Sequence, residues 1–247
     1  MAQIFKKESH LDRQYAASGK KHNVSPLWSL PGLAAVVIGF LMLQPILTAI
    51  GVAWLLICLP LLMKGLFTHG DQAALGAGIA GEAATANLIA QLPEGWYGIQ
   101  NPVVVYQGKQ SEMDMVAVGP GGVYIIETKH HNGRIVGQFD GHDWVQYKTG
   151  RRGGSYQKQF YSPVKQVGTH VYRLAHFLRQ NGCQVHVTGM VFFTNPQATV
   201  EVYGTAGDIP VFAGQTGATL MTRQMMSGQA LSPKTVKQVC DLLKQCI

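Results

Sequence analysis

The sequence predicts an α/β sandwich with a central mixed sheet flanked by helices, preceded by an apolar helical hairpin. Beyond residue 70 the predicted elements run helix, several strands, helix and strand, an order typical of a mixed sheet covered by helices. Between residues 27 and 63 there is no charged residue, and this run is long enough for two short helices back to back. These observations divide the chain into residues 1–26, 27–64 and 71–247.

The uncharged run predicts two transmembrane helices with a turn at Gln44-Pro45. Basic residues flank both ends, with Lys64 at the second, which predicts a bacterial-type inner membrane with both ends of the hairpin in the cytoplasm. A single kinked span or a re-entrant loop is the alternative, because Pro31, Pro45 and Pro60 interrupt the run. Residues 1–26 are polar and basic without periodicity, so we expect a flexible arm near the lipid bilayer.

Local signals place the remaining elements in order. A linker at residues 67–70 leads to a helix that Asp71 caps and that ends near residue 92. Ser162-Pro163 begins a later helix and Asn181-Gly182 ends it, whereas residues 149–159 are predicted to form a flexible basic loop. Strands are predicted at 103–106, 115–118, 123–126, 134–139, 144–148, 185–194, 199–203 and 209–213, and further helices at 216–226 and from residue 232.

The stretch that carries the chemistry is a predicted β-hairpin at residues 111–129. Two short runs rich in β-branched residues flank Gly119-Pro120-Gly121-Gly122, and a loop of those four residues places Asp114 opposite Glu127. Opposed carboxylates repel each other, and Lys129 lies on the same strand face as Glu127. The set suits a hard divalent cation beside a phosphate. Solvated charges at strand ends are the alternative.

A basic segment rich in aromatic residues follows the hairpin. Between residues 129 and 173 eight lysines and arginines meet only two aspartates, which suits contact with a phosphate backbone. A solvated rim is the alternative. The candidate nucleic-acid contacts are Arg134, Lys148, Arg151, Arg152, Lys158, Lys165 and Arg173.

An ordered series of motifs resembles the NERD (nuclease-related) domain of the PD-(D/E)XK nuclease-like superfamily. The series comprises Gly81-Glu82, Glu112-Met113-Asp114, the Gly119–Val123 turn, Ile126-Glu127-Thr128-Lys129, Gly133, Trp144, Pro163 and Gln166, and it covers residues 77–194. The resemblance implies a restriction-endonuclease-like fold. Ser162 stands where the family more often has asparagine, and Thr128 where it often has valine.

The resemblance also implies a site. Asp114 and Glu127 are its expected metal-binding carboxylates, with the Thr128 carbonyl as an extra ligand for Mg²⁺ or Mn²⁺. Lys129 matches the lysine that orients water and steadies the phosphate. Glu82 and Gln166 match further motif residues of the expected catalytic set.

The expected function is therefore a membrane-anchored, metal-dependent nuclease that hydrolyses the phosphodiester bonds of nucleic acid, with DNA as the expected substrate. One alternative is a catalytically silent, membrane-tethered module for nucleic-acid binding or assembly. Another is a metal-dependent hydrolase of small phosphoesters that uses His130, His131 and His142. The four cysteines form no zinc or disulfide pattern, and no nucleophile-base pair indicates acyl transfer.

Overall fold

The computed structural model describes residues 1–19, 26–149, 153–205 and 207–247. Its contacts divide the chain into two compact units, one of residues Met1–Ser9 with Gly78–Ile247 and the other of residues His10–Ala77. The first unit has an α/β fold with mixed sheets and helices, as the sequence predicts. Its described helices are α4 (Pro163–Gln180), α5 (Gly214–Met226), α6 (Pro233–Lys244) and the end of α3 (Pro45–Ala90).

The unit of residues His10–Ala77 contains a helical hairpin. It consists of α1 (His10–Gly19), a 3-10 helix (Pro26–Ser29), α2 (Leu30–Leu41) and the first part of α3. The helices α2 and α3 are separated at residues 42–44, which confirms the predicted turn. They pack closely, because a Cβ added at Gly39 would lie 2.5 Å from Thr48 Oγ1, and one at Gly51 would lie 2.7 Å from the Gly32 carbonyl oxygen.

The helices do not support the prediction of two membrane spans by their length and hydropathy. Among the described residues, one helical stretch, Ala73–Ala90, is long and apolar enough to cross a membrane, and 22% of it is buried within the protein. Helix α2, Leu30–Leu41, and the apolar stretch Pro45–Pro60 of α3 are shorter than that criterion. Core helices of soluble proteins also satisfy it, so a transmembrane hairpin does not follow from the helices alone.

Two predicted boundaries need correction. The predicted linker at residues 67–70 and the cap at Asp71 both fall inside α3, which continues to Ala90. The start of the predicted flexible arm forms a strand, β1 (Gln3–Lys6), which pairs in parallel with β2 (Tyr97–Gln100). The sheet edge fixes this segment, because backbone groups of Ala2 and Lys7 also bond to the chain around β2. Local sequence carries no signal for such a distant pairing.

The central sheet is mixed and has six strands in the order β1-β2-β5-β6-β10-β12. Strands β5 and β6 form the antiparallel hairpin, and β10 lies parallel to both β6 and β12. The four strands not yet bounded are β5 (Met115–Gly119), β6 (Gly122–Lys129), β10 (Val187–Phe193) and β12 (Val211–Ala213). The short strand β2 was not predicted from sequence.

Alternating side chains of β6 pack into two hydrophobic cores on opposite faces of this sheet. Val123 and Ile125 pack with residues of α4 and α6, whereas Tyr124 and Ile126 pack with Ile89 of α3 and with α5. The period of two in a strand explains this division. By the same alternation Glu127 and Lys129 lie on the α4 face and Thr128 on the α3 face.

Two smaller sheets complete the unit. One pairs β3 (Val103–Tyr106) with β4 (Lys109–Glu112), and the other has the order β11-β7-β8-β9. The predicted loop at 149–159 is wrong over its second half, because residues from Ser155 onward form β9 and pair with β8. The strands of the larger of these sheets are β7 (Gly133–Gln138), β8 (Asp143–Thr149), β9 (Ser155–Tyr161) and β11 (Ala198–Tyr203).

Candidate active site

The β5–β6 hairpin sets the geometry of the site. Val118 pairs with Val123 and Val116 with Ile125, as the sequence predicts. Gly119 also pairs with Gly122, so the loop has two residues instead of four, and the register is unchanged. Asp114 lies just before β5, and one further step of this register places it opposite Glu127.

Asp114 is held at the end of β6 by the main chain. Its Oδ2 accepts a hydrogen bond of 2.8 Å from the Thr128 N–H. Burial, followed by the charge of Glu127, raises the pKa of Asp114 to about 7. Two carboxylates that disfavour each other's ionised form in this way are stabilised when a cation lies between them.

Glu127 is the most enclosed acid of the set. Its side chain is 1% exposed, and its Oε1 lies 2.6 Å from Lys129 Nζ. Burial raises the pKa of Glu127, while the charge of Lys129 opposes that shift. Its other oxygen, Oε2, is buried without a hydrogen-bond partner in the part of the chain that the structure describes.

Lys129 joins the hairpin to α4. Besides Glu127, its Nζ donates a hydrogen bond of 3.1 Å to Gln166 Oε1 in the first turn of that helix. Burial alone would lower the pKa of Lys129, but the charges of Glu127 and Asp114 outweigh burial and raise it. The lysine therefore stays charged. Through its bond to Gln166, the ammonium of Lys129 depends on where α4 begins. There Ser162 Oγ accepts a hydrogen bond from the Lys165 N–H, as the predicted cap.

The helix α3 approaches the same end of β6 from the opposite face. A Cβ at Gly81 would lie 2.8 Å from His130 Cβ, so a side chain here would push the helix away. Thr85 Oγ1, one turn later, lies 2.9 Å from Thr128 Oγ1. Glu82, on the same helix, is buried, and its charge adds to the effect of burial in raising the pKa of Glu127. The five predicted catalytic residues therefore gather around the end of β6.

The donor set fits a hard divalent cation. Asp114 and Glu127 offer carboxylate oxygens, and the Thr128 carbonyl points to the same side of β6 as its N–H, which bonds to Asp114. Among the described residues, no three or more His, Cys, Asp and Glu side chains cluster as a metal site. Mg²⁺ is usually held by only one or two carboxylates and keeps several waters, so a set of this size suffices.

The predicted basic contacts divide into groups. Arg134 is paired with Glu201 through two hydrogen bonds of 2.8 Å, and these bonds lower the pKa of Glu201 to about 2. Arg173 donates to the Gln110 carbonyl and to Ser111 Oγ instead of facing solvent freely. Arg151 and Arg152 lie outside the described residues.

The remaining predicted contacts are three lysines. Lys148 and Lys158 lie on the same face of the β8–β9 pair, and their charges, with that of Lys129, add to burial in lowering the pKa of His131 to about 4. Lys165 is exposed in the first turn of α4, next to Gln166. These residues form the lysine row, Lys148, Lys158 and Lys165.

Among the described residues, the three histidines of the alternative hydrolase do not cluster as metal ligands. His130 contacts Thr194 Oγ1 at 2.8 Å, and exposed His142 lies 3.1 Å from Asp143. The ring of His131 packs edge-on against Phe160. The histidine that lies at the site is His170, with its Nε2 3.6 Å from Glu127 Oε2. Sequence reasoning missed it, although its spacing of four residues from Gln166 on a helix was an available signal.

A comparison with known protein families finds a match. Residues 77–194 match the family model of the nuclease-related domain, NERD. The matched segment begins on α3, includes the hairpin and α4, and ends just after β10. A comparison with curated proteins finds no match, and a comparison with solved structures finds none either. This chain therefore contains a nuclease-related domain at residues 77–194.

Proposed function

We propose that this protein is a metal-dependent nuclease that hydrolyses the phosphodiester bonds of nucleic acid, with DNA as the expected substrate. The observation that carries the proposal is the position of Lys129, whose Nζ bridges Glu127 Oε1 and Gln166 Oε1 at 2.6 and 3.1 Å. Asp114 and Glu82 lie around the same strand end. With all three carboxylates ionised, the ammonium of Lys129 leaves the set negatively charged, and a bound divalent cation would compensate that charge.

The carboxylates of Asp114 and Glu127, with the Thr128 carbonyl, would hold Mg²⁺ or Mn²⁺. A cation bound there supplies Lewis-acid stabilisation of the phosphate and acidifies water. Glu82 would add negative charge behind Glu127 and contact the cation through water. Gln166 would keep the ammonium of Lys129 in place.

Lys129 has one donor left for the reaction. An ammonium group has three N–H donors, and two of them are directed at Glu127 and Gln166. The third can bond to a phosphate oxygen or to the attacking water. A fixed positive charge at that point stabilises the charge that develops on the phosphate.

The lysine row would hold the nucleic-acid backbone. Lys148 pairs across the β8–β9 ladder with Tyr156, whose side chain is 54% exposed and can stack on a base. Contacts of lysines with phosphates do not read sequence, so we expect binding without base specificity.

The experiment that tests this function uses the full chain, because residues Met1–Ser9 belong to the same unit as the site. Labelled single- and double-stranded DNA and RNA are incubated with Mg²⁺, Mn²⁺ or EDTA. Glu127→Gln and Lys129→Met are compared with the matched surface variants Glu94→Gln and Lys234→Met. We expect cleavage that EDTA abolishes and that only the two site variants lower, by about 10² or more.

Two other outcomes would contradict the proposal. Cleavage that survives in Glu127→Gln would show that the chemistry occurs elsewhere. Nucleic-acid binding that persists in EDTA, with no cleavage of any substrate by folded protein, would instead indicate a catalytically silent binding or assembly module.

We also propose that the helical hairpin of residues 27–64 attaches the protein to the inner membrane, with the nuclease-related domain in the cytoplasm. The support is its surface, where Phe40, Leu41, Ile46 and Leu56 are each more than two-thirds exposed. An apolar surface of this kind indicates a lipid or protein contact. Deleting residues 27–64 should move the protein from the membrane fraction to the supernatant, and an unchanged distribution would exclude this anchor.

A further inference from the structure

The carboxylate oxygen of Glu127 that does not contact Lys129 lies next to a buried nitrogen of His170. Glu127 Oε2 and His170 Nε2 lie 3.6 Å apart, and the two side chains are 1% and 10% exposed. Neither atom has a hydrogen-bond partner among the described residues. Each of these buried atoms loses its hydrogen bonds to water on folding, and an unpaired buried polar atom costs free energy. A hydrogen bond between the two atoms would remove both costs.

The other nitrogen of the same imidazole is fully engaged. His170 Nδ1 lies 2.9 Å from Ser111 Oγ, and Arg173 Nη1 donates to the same oxygen at 2.8 Å. Arg173 is fixed in turn by a second bond of 3.0 Å to the Gln110 carbonyl. Ser111 is buried, so its hydroxyl hydrogen must also find a partner inside the protein.

These contacts distinguish the two neutral forms of His170. If Nδ1 carried the proton, Ser111 would accept from both His170 and Arg173, and its own hydrogen would have no partner there. The lone pair of Nε2 would then face the carboxylate of Glu127. If Ser111 donates to Nδ1, the proton is on Nε2 and points at Glu127 Oε2, and each polar atom has a partner of the right kind.

We propose that Arg173, Ser111 and His170 form a positioning relay that fixes the Nε2–H form of His170 and directs this N–H to Glu127 Oε2. A movement of about half an ångström brings the two atoms within hydrogen-bond distance. Hydrogen bonds of an active site are often long before the site is loaded and shorten afterwards. His170 is a positioning residue here, since it acts on the reaction through Glu127.

The relay determines what Glu127 can offer a cation. A carboxylate has about four lone-pair directions, of which Lys129 takes one on Oε1 and His170 takes one on Oε2. The remaining directions are then fixed in space, because both oxygens are tied. This consequence rests on the proposed function, whereas the protonation form of His170 does not.

The first test reads the imidazole directly. Long-range ¹H–¹⁵N correlation spectra are recorded on the full chain labelled with ¹⁵N-histidine, and the signals of His170 are assigned from the spectrum of His170→Gln. We expect the Nε2–H form in the unmodified protein and in Ser111→Thr, and its loss or mixing in Ser111→Ala. An Nδ1–H form in the unmodified protein, or a form that Ser111→Ala leaves unchanged, would overturn the relay.

The second test measures cation affinity without activity, from the free Mn²⁺ signal in electron paramagnetic resonance. His170→Leu should weaken Mn²⁺ binding by about 10- to 100-fold, the usual effect of removing a group that orients a metal ligand. His170→Gln keeps an amide N–H near the position of Nε2 and should restore part of the affinity. His176→Leu, on the same helix, is the matched control and should bind as the unmodified protein does.

The two tests separate the relay from the proposed function. If the unmodified protein binds no Mn²⁺, the cation proposal fails and the imidazole spectra alone decide the relay. If it binds Mn²⁺ and His170→Leu binds equally well, His170 does not position Glu127. Equal losses in His170→Gln and His170→Leu would show that the N–H at this position is not what matters.

Discussion

Replacing Asp114 by asparagine should stabilise the protein in the absence of metal, although it removes a proposed ligand. Burial and the charge of Glu127 raise the pKa of Asp114 from 3.8 to about 7. Each pKa unit corresponds to about 1.36 kcal/mol, so the ionised form costs at most about 4 kcal/mol. Asp114 is only half-buried and shares its proton equilibrium with Glu127. We therefore expect Asp114→Asn to raise the unfolding free energy by about 1–3 kcal/mol at pH 8.

The sign of the pH dependence is fixed by the direction of the shift. Below pH 4 the carboxyl is protonated in both states, and the substitution should have little effect. Between about pH 4 and pH 7 the unfolded chain ionises while the folded chain holds its proton, so the unmodified protein loses stability in this window. Asp114→Asn lacks this loss, and its advantage should be complete above pH 7.

Urea unfolding can be followed by the fluorescence of Trp96 and Trp144, which are buried in the unit of residues Met1–Ser9 and Gly78–Ile247. Trp28 and Trp54 are replaced by phenylalanine in all samples, so that the signal comes from the nuclease-related domain alone. Asp208→Asn, at an exposed aspartate, is the control and should change stability at no pH. Added Mg²⁺ should stabilise the protein with Asp114 intact more than the variant, since a ligand stabilises the state that binds it.

A single result would refute this reasoning. If Asp114→Asn is less stable than the unmodified protein at pH 8 without metal, the hydrogen bond from the Thr128 N–H outweighs the repulsion between the two carboxylates. The site would then be stable without a cation.

Three further predictions concern the packing around the site and its basic surface. Gly81→Val should destabilise the protein by about 1–3 kcal/mol, measured by urea unfolding, because its Cβ would lie 2.8 Å from His130 Cβ; unchanged stability would show that α3 can move outward. Trp144→Ala should cost about 3–5 kcal/mol in the same assay, since this fully buried ring stacks on Phe193; a loss below 1 kcal/mol would contradict the packing. The double variant Lys148→Gln/Lys158→Gln should bind DNA more weakly in a fluorescence titration. The slope of log K against log salt concentration should fall by about 2 in magnitude, whereas Lys234→Gln, in α6, should leave this slope unchanged. An equal salt slope in all three proteins would place the DNA elsewhere.

Local sequence was sufficient for the hairpin that carries the site. Alternating β-branched residues and the Gly-Pro-Gly-Gly turn specify both the strands and their register, and the pairing of Val116 with Ile125 follows directly. The start of α4 was equally predictable, because Ser162 and Pro163 are a cap and a first-turn residue whose preferences do not depend on the rest of the fold. The position of Lys129 beside Glu127 is a consequence of strand alternation.

Pairings between distant segments were beyond the reach of local patterns. The four residues of β1 were not predicted as a strand, and they form one because β2 offers an open sheet edge about 90 residues later. The polar strand β9 was predicted as a loop for the same reason, although its Phe160 packs near Trp144 once β8 lies alongside. Composition alone also marks Arg134 as a free cation, whereas the fold places Glu201 beside it.

The sequence by itself indicated the candidate residues Asp114, Glu127 and Lys129, because the acids and the lysine lie close together on one hairpin whose geometry is local. Tertiary structure decided which groups surround them. Gln166 and His170 reach the site on α4, and Glu82 reaches it on α3, through packing across opposite faces of the sheet. Such contacts depend on where whole helices lie, and the spacing of residues along the chain does not encode that position.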